Sequence, residues 1–296
     1  MSSNWIITED LPTIRDPQIL VADGFYYLTG TQPPYWRGEN PGVMLWKSPD
    51  LFSWKKVHPL LERENLAEDC WYRDRFWAPE IFHSAEGKYY LTFNCRNDKT
   101  GYPLAFGIAV AEQIEGPYHV LSEEKPAYPY TNDAHLFQDD DGQVYACCAV
   151  TRPEMKKNAL YIGRFDLAKG EYAEEPVLCC ATGAEGEWDS IGVEGPFLVK
   201  RDGTYYLWYS SWTNGYEMGL LTARHPLGPW EKCPENPLPA NQKAFRKMGH
   251  NACFRTMDGK DCICYHINDE TDTERLFIEE VAYTGNSVRF LGPVSR

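Results

Sequence analysis

Short apolar runs alternate with polar turns along this chain, and none shows the 3.6-residue spacing of an amphipathic helix. The stretch VEGPFLVKRDGTYYLWYS, starting at Val193, reads as a strand, an Asp202-Gly203 turn and a second strand rich in Tyr and Trp. Aligned on the turn glycine, the same 18-residue window recurs four more times. IRDPQILVADGFYYLTGT starts at Ile14, WAPEIFHSAEGKYYLTFN at Trp77, NDAHLFQDDDGQVYACCA at Asn132 and GHNACFRTMDGKDCICYH at Gly249. The residue before each turn glycine is acidic, and the sixth column (Ile19, Phe82, Phe137, Leu198, Phe254) is apolar.

Each window is followed by a second pair of strand-like runs: 42–57, 104–120, 158–172, 217–233 and 276–290. Two hairpins per repeat make a four-stranded blade. The spacing of about 60 residues between successive glycines points to radially repeated sheets. The expected fold is therefore all-β: one five-bladed β-propeller over residues 1–296, with blades starting near 14, 77, 132, 193 and 249. Residues 1–13 form a lead-in expected to close the ring against the last blade.

Composition narrows the partners. The net charge of −14 disfavours nucleic acid and anionic membranes, so a neutral small substrate fits better. Aromatics at 14% suit strands and also suit sugar rings, whose apolar faces stack on flat side chains. The start MSSNWIITEDLP has no basic and apolar signal segment, no apolar run spans a membrane, and the ten cysteines show no CxxC. A cytoplasmic protein with reduced, buried thiols is expected.

Three acids stand near the starts of inner strands: Asp16 in blade one, Asp133 in blade three and Glu194 in blade four. With the windows aligned on the turn glycine, Asp133 and Glu194 share a column with Ala78 and His250, and Asp16 comes one place later in its own window. A propeller would bring these acids to one axial funnel. Like charges held close are costly unless used, and the use they suggest is hydrolysis of a glycosidic bond by a paired base and acid. Trp77 in the entrance column, with Trp36, Trp71 and Trp188 in loops, are candidates for a sugar-stacking wall. His250 and Arg275 are candidates for polar contacts.

The ordered set Arg15-Asp16-Pro17, Trp77-Ala78-Pro79-Glu80, Asn132-Asp133-Ala134 and Val193-Glu194-Gly195-Pro196 resembles glycoside hydrolase family 43 over essentially the whole chain. The resemblance implies Asp16 as general base, Glu194 as general acid and Asp133 as modulator of the acid. It implies an inverting reaction, with base and acid carboxyls roughly 6.5–9.5 Å apart. It also implies that His250 contacts a water or a calcium ion on the propeller axis, and that Arg275 contacts sugar and modulator. No cofactor is required. Ala134 departs from the family pattern, where many members carry Pro after the modulator.

The expected substrates are terminal α-L-arabinofuranosides or β-D-xylosides, with β-D-galactofuranosides as a variant. A glycoside phosphorylase is the second reading; it needs a basic cluster for phosphate, for which Arg73, Arg75 and Arg275 are the candidates. A non-catalytic sugar-binding propeller is the third. It would place equivalent sites in every blade, whereas the acid-bearing column differs from blade to blade.

Overall fold

The computed structural model describes residues 5–238 and 246–295. Five antiparallel sheets surround a central axis, one for each sequence repeat. Their inner strands are Arg15–Ala22, Asp74–His83, Thr131–Gln138, Glu194–Arg201 and Arg246–Arg255. Each leads outward through three further strands of its blade. Blades two and three carry one extra short strand, Tyr128–Pro129 and Val177–Ala181 respectively, paired to the third strand. The regular structure is otherwise limited, among the described residues, to one 3₁₀ turn at Arg63–Asn65.

The lead-in closes the ring as expected. Ile6 bridges to Leu276 of blade five, and the amide of Ile14 donates to the Glu274 carbonyl. Residues 1–4 of that segment lie outside the described residues. Between blades the core is built from the alternating faces of the strands. One large cluster joins blades four, five and one through Trp208, Tyr265, Phe277, Trp46 and Trp54.

Every inner strand carries a β-bulge two residues wide near its start. In blade one the register jumps between Arg15 and Gln18, in blade two between Trp77 and Glu80, in blade three between Asn132 and His135, in blade four between Glu194 and Phe197, and in blade five between Gly249 and Ala252. The first bulged residue has a left-handed backbone in all five: Asp16 (φ 52°), Ala78 (41°), Asp133 (57°), Gly195 (60°) and His250 (52°). Four non-glycine residues in this region indicate an imposed conformation. The second bulged residue is Pro17, Pro79 or Pro196 in three blades, where a missing N–H costs no ladder hydrogen bond.

These bulges correct the sequence alignment. Glu194 does not share a column with Asp133 and His250; it precedes the bulge, in the column of Arg15, Trp77, Asn132 and Gly249. The cause is turn length. Asp23-Gly24 and Asp202-Gly203 are two-residue turns with positive φ at both positions, whereas blades two, three and five turn through five residues. Alignment on the glycine therefore slips blades one and four by one place.

Candidate active site

A cavity of about 330 Å³ opens at the strand starts, lined by Arg15, Asp16, Trp36, Arg75, Trp77, Arg96, Leu104, Asn132, Asp133, Glu194 and His250. Seven of these come from the two adjacent columns at the bulges. The column before the bulge supplies Arg15, Trp77, Asn132 and Glu194. The bulge itself supplies Asp16, Asp133 and His250. Re-aiming side chains in this way is what a bulge does beside a functional site.

The three acids meet here, in different environments. Asp16 is buried, and Thr31 Oγ1 donates to its Oδ2 at 2.7 Å. Its Oδ1 is also buried but accepts no hydrogen bond among the described residues. Around that oxygen stand His250 Nδ1 at 3.3 Å, Arg15 Nε at 3.5 Å and His266 Nδ1 at 3.6 Å. Burial opposes ionisation of Asp16, but His250, Arg15, His266 and the Thr31 hydroxyl together outweigh it and hold the carboxyl below its ordinary value.

Asp133 goes the other way. Burial, with Glu194 and Asp16 nearby, pushes its carboxyl up to about 7 despite the opposing pull of His250. Its Oδ2 accepts the Gly195 amide and the Asn132 side chain, each at 2.9 Å. Glu194 is likewise raised, chiefly by burial, against a 2.6 Å hydrogen bond donated by Tyr216 to its Oε1. One carboxyl is thus held low beside two held high, the separation of roles that acid–base catalysis at one site needs.

His250 lies between them, 3.9 Å from Asp133 Oδ2. Burial would neutralise it, but Asp16, Asp133 and Glu194 raise it above its ordinary value. His266 is held neutral by burial and by Arg15. The Asp16 backbone amide donates to its Nδ1 at 3.3 Å, and Arg15 Nη1 lies 3.1 Å from its Nε2.

The chain matches the model for glycosyl hydrolases family 43 over residues 6–287. The chain belongs to that family. It is 30% identical over 286 residues to the beta-D-galactofuranosidase xynD of Aspergillus niger, a match covering 88% of this chain and 75% of that protein. It is 28% identical over 264 residues to a xylan 1,3-beta-xylosidase of a Vibrio species, covering 83% of this chain but 46% of that protein, so the chain spans about half the length of that relative. Among solved structures, a thermostable family-43 glycoside hydrolase superimposes with a TM-score of 0.80 at 26% identity, covering 95% of this chain and 93% of that one.

Within this family-43 propeller, several candidates fall elsewhere. Trp71 is 5% exposed, stacked on Phe93 and hydrogen-bonded through its indole to the Ser122 carbonyl. It is core, because the segment between strands Lys55–Glu62 and Asp74–His83 packs Trp71 with Tyr72, Phe76 and Leu91 of the blade-two cluster. Trp188 packs on Tyr209 and against Gly219, between blades three and four. Arg275 ion-pairs with Asp269 at 2.8 Å and donates to the Pro12 carbonyl, so it ties the lead-in to blade five and does not line the cavity. Of the basic candidates for phosphate, Arg73 also faces away, toward the Leu66 carbonyl. Trp36 and Trp77 do line the cavity; Trp36 is 62% exposed at the rim, and the Arg15 guanidinium lies 4.7 Å from its ring centre.

Sequence reasoning missed Arg15, Tyr216, His266 and Arg96 as site residues; Arg75, a phosphate candidate in the sequence, does line the cavity. The signal for Arg15 was its place beside Asp16. Tyr216 and His266 reach the acids only through folding: Gly249 leaves open the space that the Tyr216 ring fills. For an axial calcium, Asp133, Glu194 and His250 bring one atom each within 4.8 Å of one another. Calcium takes roughly six to eight oxygen ligands. One imidazole and two carboxyls already engaged with Gly195, Asn132 and Tyr216 are a poor match for it.

Proposed function

We propose that this chain is an inverting, exo-acting glycoside hydrolase that removes a terminal α-L-arabinofuranosyl, β-D-xylosyl or β-D-galactofuranosyl residue. The observation that carries this reading is the contrast between Asp16, kept ionised with Oδ1 unbonded, and the raised Glu194–Asp133 pair across one small cavity. In this reading Asp16 Oδ1 takes a proton from a water as the water oxygen bonds to the anomeric carbon. Glu194 gives its proton to the glycosidic oxygen as the carbon–oxygen bond breaks, and the leaving alcohol departs with the configuration inverted. Asp133 keeps Glu194 protonated by charge repulsion, and His250 keeps Asp16 charged.

The exo reading rests on the size of the cavity and on Trp36 and Trp77 walling it. The sugars are those that the relatives' names carry, galactofuranose and xylose, with arabinofuranose from a Streptomyces chartreusis exo-acting relative at 26% identity. A reducing compartment is proposed from the ten unbridged cysteines, most of them buried thiols.

The test is release of p-nitrophenol from the α-L-arabinofuranoside, β-D-xyloside, β-D-galactofuranoside and β-D-glucoside, with NMR of the first-formed sugar. The expected result is release from one of the first three with inversion. Retention of configuration, or binding of these sugars with no release, would overturn the proposal. Turnover that requires inorganic phosphate would favour the phosphorylase.

A further inference from the structure

The blade-two wall of the cavity carries two arginines that the hydrolytic reaction does not use. Arg75 and Arg96 flank Trp77, their guanidinium carbons 5.7 and 5.5 Å from its ring centre. Arg75 occupies a second bulge of the same inner strand, where the register jumps between Asp74 and Trp77, and its backbone is left-handed at φ 59°. A non-glycine residue seldom adopts that conformation unless its surroundings impose it. Here it turns Arg75 toward the cavity. Arg96 stands opposite Asp74 on the neighbouring strand. The two cations are close enough that Arg96, after burial, is lowered most by Arg75.

The nearby anions do not balance them. Asp98 is shared: it ion-pairs with Arg75, and its Oδ1 lies 2.7 Å from Arg96 Nε. That second contact lacks hydrogen-bond alignment, because Arg96 Nε has no hydrogen-bond partner among the described residues. Asp74 faces Arg63 at 3.3 Å, which Glu39 also pairs, and accepts the Asp98 amide at 2.9 Å; it forms no ion pair with Arg75 or Arg96 among the described residues. Arg15, on the far wall, is matched by Asp16 and Glu274. Within ion-pair distance, Arg75 and Arg96 therefore share the one carboxylate of Asp98 among the described residues.

Its height matters too. Trp77 stands in the column of Glu194, and Arg75 lies two positions nearer the strand start, above the acids and toward the rim. With a terminal sugar seated at the acids, as the exo-hydrolase reading has it, a group bound nearer the rim would belong to the leaving sugar.

We propose that Arg75 and Arg96 form a subsite for the carboxylate of a uronic acid, so that the preferred substrate is a neutral terminal sugar linked to an acidic one. A guanidinium fork fits a carboxylate or a phosphate, and two guanidiniums that share one carboxylate at close range are matched by one further singly charged anion. The adjacent Trp77 face supplies stacking for the same ring. The proposal rests on the hydrolase reading for its substrate, but its binding part can be tested without turnover.

The experiment titrates wild-type protein and the Arg96→Gln and Arg96→Lys variants with methyl β-D-glucuronide, methyl β-D-glucoside and glucose 6-phosphate, following tryptophan fluorescence. It then compares kcat/KM on two disaccharides that differ only in a carboxylate or a hydroxymethyl group on the leaving sugar. Wild type is expected to bind the glucuronide about tenfold or more tighter than the glucoside, with most of that preference lost in Arg96→Gln and partly restored in Arg96→Lys. The kcat/KM ratio should follow the same order. Equal binding of glucuronide and glucoside, or an unchanged preference in Arg96→Gln, would overturn the subsite. Tighter binding of the phosphate would overturn the carboxylate assignment. If the glucuronide binds selectively but neither disaccharide nor any aryl glycoside is cleaved, the hydrolase reading fails and the subsite stands.

Discussion

Tyr216 donates a 2.6 Å hydrogen bond to Glu194 Oε1, and the Asp133 carboxyl lies within 4.8 Å of Glu194. The two neighbours push the proposed acid in opposite directions. The Tyr216 bond favours the carboxylate, and charge on Asp133 disfavours it. Tyr216→Phe is expected to move the alkaline limb of the kcat profile up in pH, and Asp133→Asn to move it down, each by roughly one unit, the scale of a single hydrogen bond or nearby charge. Shifts in the same direction would contradict the assignment of that limb to Glu194.

Gly249→Ala should reproduce the Tyr216→Phe shift. A Cβ at position 249 would stand 2.6 Å from the Tyr216 ring and push it away from Glu194. The pH profile of this variant, measured beside Tyr216→Phe, checks whether Gly249 acts through that ring.

Arg15 governs the other limb. Its guanidinium, 3.5 Å from Asp16 Oδ1, helps hold that carboxyl low. In Arg15→Met the Asp16 carboxyl rises, the base is protonated at higher pH, and the acidic limb of kcat should move up. An unmoved acidic limb would remove Asp16 from the role of base.

Trp71 is expected to matter for stability alone. Trp71→Ala should cost about 3–5 kcal/mol in denaturant unfolding, as expected for emptying a buried aromatic site. KM for a cleaved aryl glycoside, measured on the folded fraction, should stay within about twofold of wild type.

The ring of five blades was legible because each hairpin repeats one pattern: an acidic residue and glycine at the turn, flanked by apolar columns. Asp16, Asp133 and His250 were legible from their place at the strand starts. The register of Glu194 was not, because a turn glycine does not report whether its loop has two residues or five. The prolines Pro17, Pro79 and Pro196, which all occupy the second bulge position, would have aligned those blades correctly. Among the aromatics, Trp36 and Trp71 look alike in sequence. Only folding separates the exposed rim residue from the one packed on Phe93. Arg275 and Arg96 show the same limit: a surface arginine in a string of letters carries no sign of which carboxylate it meets.

The most direct test of the central claim compares Glu194→Gln and Asp16→Asn on two substrates of one terminal sugar, an unactivated alkyl or saccharide glycoside and the p-nitrophenyl glycoside. A leaving group that needs no proton bypasses the acid but not the base. Glu194→Gln should lose roughly 10²–10⁴-fold on the unactivated linkage and much less on the aryl glycoside, while Asp16→Asn loses both. Near wild-type rates in either variant on the unactivated linkage, or equal losses on both substrates for Glu194→Gln, would contradict the account.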